Sequence, residues 1–274
     1  MSTNTTPTVL TIAGSDPYGG AGIQTDIKTI HSNNGYAFSV ITALTAQNSQ
    51  GVQSVNIVDA SIFKAQLEAI LSDIKVDAIK IGMLGNRDIV KVLVEMIKLY
   101  NLKNIVLDTV ITSSSGATLL DSKALKIFRK ELIPLVDIIT PNLLEINSLT
   151  QKNFKGLESE IDIISDELLS LGVKSALIKG GHFLNKSNSI DILVQRGKQN
   201  QTFISKRVDT THTHGTGCIL SSAIATNLAK GKNLSKSVQL SKEYLTLAME
   251  ASASLKFKYR NSRVVKSEPI KHYF

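Results

Sequence analysis

Thr8-Val-Leu-Thr-Ile-Ala13 runs into Gly14-Ser-Asp-Pro-Tyr-Gly-Gly-Ala-Gly22, and Tyr36-Ala-Phe-Ser-Val-Ile-Thr-Ala-Leu-Thr45 follows a short distance later. The first and last runs are apolar and β-branched, as strands are. Between them, Ile23, Ile27 and Ile30 fall on one face of a helix over Ala21 to Ser32. Strand, glycine turn, helix, strand is a βαβ unit, and the same alternation continues outward. Further strands are predicted over Val52–Val58, Ala78–Ile81, Asn104–Leu107, Asp137–Thr140 and Ser175–Lys179. Helical periods occupy Ser61–Ser72, Asp88–Tyr100, Ser122–Leu132 and Ser165–Leu171. A ribbon of Ile190–Val194 with Thr202–Ser205 follows, and helices over Gly217–Lys230 and Leu234 to Ser252 close the chain. Such alternation implies an α/β fold with a mostly parallel sheet covered on both faces. No linker, repeat or low-complexity block divides residues 1–274, so one domain is expected. Its sites should lie beyond the carboxyl ends of the strands.

Hydrophobic residues make up 42% of the 274 and charged residues 20%, with a mean hydropathy of +0.06. That composition excludes a disordered protein. The single cysteine, Cys218, cannot form an internal disulfide. The N-terminus lacks a signal-peptide pattern, and no run approaches the ~20 apolar residues of a membrane span. A cytoplasmic location is the expectation. The net charge of +8 is uneven: residues 1–200 carry 19 basic and 19 acidic side chains, residues 201–274 carry 12 and 4. Part of the surplus lies in a basic C-terminal segment, 256–274. No Trp and no aromatic-rich stacking platform accompanies it, so a solvated surface near an anionic ligand is read rather than a nucleic-acid arm.

His212-Thr-His-Gly-Thr-Gly-Cys218 opens the small-residue helix Ile219-Leu-Ser-Ser-Ala-Ile-Ala225. A glycine turn entering a helix presents free N–H groups at the positive end of the dipole, which suits an anion. Cys218 at that position should have a thiol pKa below ~8.5, the alternative being a small buried hydrophobe. The loop Gly14–Gly22 is neither a dinucleotide fingerprint nor a Walker P-loop. Asp26, early in the following helix, fits the dipole or a functional role equally. Polar residues end the later strands: Gln47-Asn48, Asp108, Asn142 with Glu145, and Lys179-Gly-Gly-His182. Singly these read as caps and turns. Together, two carboxylates and an amide at neighbouring strand ends suit Mg²⁺, with phosphate oxygens completing its shell.

The segments Thr11-Ile-Ala-Gly-Ser-Asp-Pro17, Gly19-Gly-Ala-Gly-Ile-Gln24, Val40-Ile-Thr-Ala-Leu-Thr-Ala-Gln-Asn48, Lys80-Ile-Gly-Met-Leu84, Val106-Leu-Asp-Thr-Val110, Ile139-Thr-Pro-Asn142, Lys179-Gly-Gly-His182 and Thr213-His-Gly-Thr-Gly-Cys218 occur in this order. In that combination the chain resembles the ribokinase-like superfamily, and within it the hydroxymethylpyrimidine/phosphomethylpyrimidine kinases of thiamine biosynthesis. The resemblance implies a three-layer α/β/α fold and ATP-dependent phosphorylation of an aminopyrimidine alcohol and then of its monophosphate. It implies that Asp26 and Gln47 hydrogen-bond the pyrimidine, with Ala13, Gly14, Thr45 and Met83 lining its pocket. Asp108, Asn142, Glu145, Lys179 and His214 would serve Mg²⁺-ATP, with Asp108 and Glu145 toward the metal. Gly215, Thr216, Gly217 and Cys218 would form the anion hole, with Cys218 as base. Small-molecule partners and a homodimer are expected, with no nucleic acid and no membrane. A pyridoxal/pyridoxine kinase of the same subfamily and a non-catalytic pyrimidine-binding regulator are the alternatives. Ser114 stands where the family usually has a lysine, Leu144 where proline is common, and the ending Glu268–Phe274 only loosely matches the family's. The polar run Asn185–Ser189, within residues 182–190, has the composition of a lid.

Overall fold

The computed structural model describes residues 5–112, 119–180, 187–260 and 268–272. One sheet of nine strands carries the fold: β1 (Thr8–Ser15), β2 (Tyr36–Asn48), β3 (Gly51–Ile57), β4 (Ala78–Ile81), β5 (Ile105–Leu107), β6 (Ile138–Ile139), β7 (Ser175–Ile178), β8 (Asn188–Gln195) and β9 (Gln201–Lys206). Their spatial order is β3-β2-β1-β4-β5-β6-β7-β8-β9. Strands β2, β1, β4, β5, β6 and β7 are mutually parallel, while β3, β8 and β9 pair antiparallel at the two edges.

Alternation along the strands feeds two apolar layers. Leu10, Ile12, Ile79 and Ile81 point to one face, where α2 (Ala60–Leu71), α3 (Arg87–Leu99), α4 (Ser122–Ile127), α5 (Leu143–Thr150) and α6 (Ile161–Ser170) pack. Val9, Ala78, Val106 and Leu177 point to the other, against α1 (Gly22–Ser32), α7 (Thr216–Ala229) and α8 (Leu234–Ala251). Every residue of α7 from Ile219 to Asn227 is buried. Its small side chains let α1 and α8 approach from both sides, and Ser221 and Thr226 satisfy their hydroxyls on carbonyls of the preceding turn.

From β1 the chain moves through α1 to β2 on one side, whereas from β4 it moves through α3 to β5 on the other. Adjacent strands whose connections diverge leave a crevice at their carboxyl ends. The loops after β1 and β4 open it here.

The expected α/β/α layering and nearly all elements are observed, with two differences. The helix expected over Ser122–Leu132 is α-helical only to Ile127; Phe128–Leu132 widens into a π turn and Ile133–Leu135 tightens into a 3₁₀ turn. Pro134 has no N–H to continue the ladder. Helix α5 was not expected, because the run from Leu143 is short. Asn142 caps it by accepting from Glu145 N at 3.0 Å, and Glu145 Oε2 accepts from Asn142 N at 2.8 Å. Ser114 and residues 181–186 lie outside the described residues, so the lysine replacement and most of the expected lid stretch have no structural description. No helix among the described residues is long and apolar enough to cross a membrane.

Candidate active site

The loop leaving β1 folds around Asp16, which is 3% exposed. Its Oδ1 accepts from Tyr18 N at 2.9 Å, and its Oδ2 from Gly20 N and Ala21 N at 3.1 and 2.8 Å. His214, from the loop before α7, reaches the same Oδ2 with Nε2 at 3.0 Å. Burial works to raise the Asp16 pKa, but the His214 contact and the backbone donors hold it below the ordinary carboxylate range. The amide of Gln47, at the end of β2, lies 2.9 Å from the same histidine nitrogen. Gly215 has φ +86°, and a Cβ there would overlap the Gly20 carbonyl. Only glycine lets the two loops touch in this way.

A second group forms at the ends of β5, β6 and β7. Asp108 Oδ1 accepts from Lys179 Nζ at 3.0 Å and from Thr140 Oγ1 at 3.1 Å. Glu145 Oε2 accepts from Thr109 Oγ1 at 3.0 Å and lies 3.7 Å from Lys179 Nζ. Burial raises the Glu145 pKa against the pull of Lys179, and the Asp108 charge adds to the rise. Burial opposes the Lys179 charge, but Asp108 and Glu145 outweigh it and hold the ammonium firmly protonated. Gly217 faces this pair: a Cβ there would sit 3.1 Å from Asp108 Oδ2 and 3.3 Å from Lys179 Nζ.

Both groups line a single cleft of about 1170 Å³. Ala13, Gly14, Thr45, Gln47 and Met83 form one end, Asp108, Asn142, Glu145 and Lys179 one wall, and Thr213–Cys218 the turn between them. The cleft continues to Lys206, Arg207, Asp209 and Lys242, so part of the C-terminal basic surplus faces it. Among the described residues, no three His, Cys, Asp or Glu groups gather closely enough to hold a metal alone.

Two expectations are corrected. Asp26 does not reach the cleft: it is fully buried, with Lys80 Nζ at 2.8 Å from both carboxylate oxygens, Thr11 Oγ1 at 2.6 Å and Ser222 Oγ at 2.8 Å. Its carboxylate is consumed by these donors and offers nothing to a ligand. The Cys218 thiol is not acidified by its helix terminus. Burial pushes it up to about 11, against partial relief from Lys80 and the Gly22 N–H, while Asp26 and Asp108 push it further up. Enclosure of the thiolate, together with two nearby carboxylates, acts against the pull of the helix end.

All other expected site residues line the one cleft. Missed were Asp16, which organises the glycine loop, and Lys80. Both had a signal: Ser15-Asp-Pro-Tyr-Gly19 is a turn pattern in which Asp receives backbone N–H groups, and Lys80 is a lone charge in the strand Ala78-Ile-Lys-Ile81.

The family model for phosphomethylpyrimidine kinase matches residues 16–263. A hydroxymethylpyrimidine/phosphomethylpyrimidine kinase of Escherichia coli is 43% identical over 90% of this chain and 92% of its own length. A probable chloroplastic thiamine biosynthetic bifunctional enzyme of Oryza sativa is 41% identical over 91% of this chain but 45% of its own, so the chain spans about half of that relative. Among solved structures, the ADP complex of Bacillus subtilis pyridoxal kinase superposes with a TM-score of 0.85 at 32% identity, covering 98% of both chains. With a matching model across most of its length and a near full-length relative of this similarity, the chain belongs to the phosphomethylpyrimidine kinase family.

Proposed function

We propose that this protein transfers the γ-phosphoryl group of ATP to the hydroxymethyl oxygen of 4-amino-5-hydroxymethyl-2-methylpyrimidine, and then a second to the resulting monophosphate. The observation that carries the reading is the position of the Gly215–Cys218 turn. It lies between an end suited to a flat ring, with Ala13, Met83 and Gln47, and a wall bearing Lys179 and two carboxylates. The kinase names of the relatives support the same chemistry. Phosphoryl transfer asks mainly for alignment and for donors around the equatorial oxygens. The backbone N–H groups of residues 215–218 and the Lys179 ammonium supply those donors. Gln47, at the end of β2 beside His214, orients the ring. Cys218, as thiolate, takes the proton from the alcohol oxygen as that oxygen bonds to phosphorus, and ADP leaves with the electron pair of the broken P–O bond.

The donor set suits Mg²⁺: Asp108 and Glu145 offer hard oxygens, and the raised Glu145 pKa marks a carboxylate that a cation would stabilise. These two residues would hold the ion together with phosphate oxygens. When bound, it neutralises phosphate charge. Residues 1–274 are read as one domain.

Mass spectrometry of products formed from the pyrimidine alcohol and ATP tests the reading. Mono- and diphosphate products are expected. The likeness to a pyridoxal kinase gives the competing substrate class: phosphorylation of pyridoxal alone would overturn the pyrimidine assignment. Binding of the alcohol without ATP turnover would make the chain a regulator.

A further inference from the structure

Residues 268–272, part of the ending that matches the family only loosely, lie against the loop that leads into the Gly215–Cys218 turn. Glu268 N donates to Thr211 O at 3.2 Å, and His214 N donates to Glu268 O at 3.1 Å. Between these two bonds the His212 ring is buried, with Nδ1 2.8 Å from Pro269 O and Nε2 3.2 Å from Glu268 Oε2. The rest of this strap is fastened to the helical layer behind the turn. Ile270 packs with Ile219 and Ala223 of α7 and Ala248 of α8. Lys271 N donates to Ser252 Oγ at 2.8 Å, and His272 Nδ1 lies 3.3 Å from Thr29 Oγ1 of α1. These anchors hold the strap in place without using the Glu268 side chain.

The Glu268 carboxylate serves the two loops that meet at the cleft. Its Oε2 accepts from Thr211 Oγ1 at 3.3 Å and faces His212. Its Oε1 accepts from the Tyr259 hydroxyl at 3.3 Å, and that hydroxyl lies 2.9 Å from the hydroxyl of Tyr18 in the glycine loop. The His214–Asp16 contact joins the same two loops on the cleft side. Backbone donors stabilise a transferring phosphoryl group only when they are aimed before it arrives. The geometry points to Glu268 as a positioning residue for the anion turn. By tying Thr211 and His212 to the anchored strap, it keeps the N–H groups of residues 215–218 aimed in the absence of ligand. Glu268 is not among the residues that line the cleft, so it acts through the loop alone. The inference rests on the kinase reading for what the turn binds, whereas the order of the turn can be measured with no substrate present.

Glu268→Ala in the full chain removes the carboxylate and leaves Ile270 and His272 to hold the strap. Amide hydrogen exchange read by mass spectrometry on the ligand-free variant is expected to quicken ~10-fold over residues 211–219 and to keep the parental rate over α3. In the ADP-release assay kcat should fall ~10-fold, while KM for the pyrimidine alcohol stays within ~2-fold because Gln47 is carried by β2. Glu268→Gln keeps an acceptor oxygen for Thr211 and should bring kcat and exchange back to within ~3-fold of the parent. A parental kcat in Glu268→Ala, or exchange quickened equally over α3 and the turn, would overturn the proposal and leave Glu268 a merely stabilising residue. If Glu268→Ala does not fold, Thr211→Val strips one donor from the carboxylate at an exposed position. A ~2–3-fold fall in kcat with faster exchange over residues 211–219 then supports the proposal, and parental values of both overturn it. Absence of phosphoryl transfer by the parent would overturn the kinase reading alone, since the exchange rates judge the role of Glu268 without turnover.

Discussion

Gly217→Ala separates catalytic geometry from stability. Gly217 lies in the first turn of α7 and its φ is not in the left-handed region, so alanine fits the backbone and gains ~0.5–1 kcal/mol of helix preference. The new methyl group would meet Asp108 Oδ2 at 3.1 Å and Lys179 Nζ at 3.3 Å, up to about 0.3 Å inside ordinary contact. Relieving that overlap moves the carboxylate or the ammonium by a few tenths of an ångström and costs much of the helical gain. The net change in stability should stay within ~1 kcal/mol, or about 2–4 °C in Tm for a chain of this size. Activity should respond far more, because the methyl also fills the space between the turn and Lys179 where a transferring phosphoryl group must fit. A displaced reacting group combined with a weakened donor array corresponds to a ~10²-fold fall in kcat. Thermal unfolding by circular dichroism and steady-state ADP release measure both quantities on one preparation. A variant with parental kcat/KM would refute the placement of the phosphoryl group beside Gly217.

Three further outcomes are expected. Cys218→Ala should lower kcat by ~10²–10⁴, the range for losing a general base. The parental kcat/KM should also rise with pH, about tenfold per unit where the thiol alone limits, because burial holds the thiol near 11; a profile flat above about pH 7 contradicts the thiolate role. Lys179→Met should reduce kcat by ~10²–10³, as read by the same ADP assay, and should also lower stability, since its charge faces the cleft and its loss leaves two buried, repelling carboxylates without their cation. His272, 5% exposed, is held neutral down to about 4 by burial and by the Lys28 charge. The unfolded chain takes up a proton near 6.5, so stability is full above that pH and declines as pH falls toward 4, by about 3 kcal/mol at most. Urea unfolding at two pH values should show this decline, and His272→Leu should abolish it.

The layers and most element boundaries were legible because the parallel strands are buried on both faces and the helices carry apolar stripes, as in Ala78-Ile-Lys-Ile81 and Ile89–Ile97. The cleft was legible for a related reason: polar residues such as Asp108 and Lys179 directly follow apolar strands, and the parallel topology brings strand ends together. What was not legible depends on partners distant in sequence. Asp26 reads as a ligand-facing carboxylate until Lys80, 54 residues on, and Ser222, 196 residues on, are seen to enclose it. Cys218 reads as an acidic thiol because a helix terminus is visible in sequence, whereas the burial that opposes it is not. Helix α5 was missed although Asn142-Leu-Leu-Glu145 carries the capping-box spacing, since its eight residues offer little periodicity.

The most direct test of the site is a crystal structure with a non-hydrolysable ATP analogue and the pyrimidine alcohol bound together. Oxygens of the terminal phosphate should lie about 2.7–3.1 Å from backbone nitrogens of residues 215–218, with the alcohol oxygen in line and next to the Cys218 sulfur. A terminal phosphate bound elsewhere in the cleft, out of hydrogen-bonding reach of that turn, would contradict it.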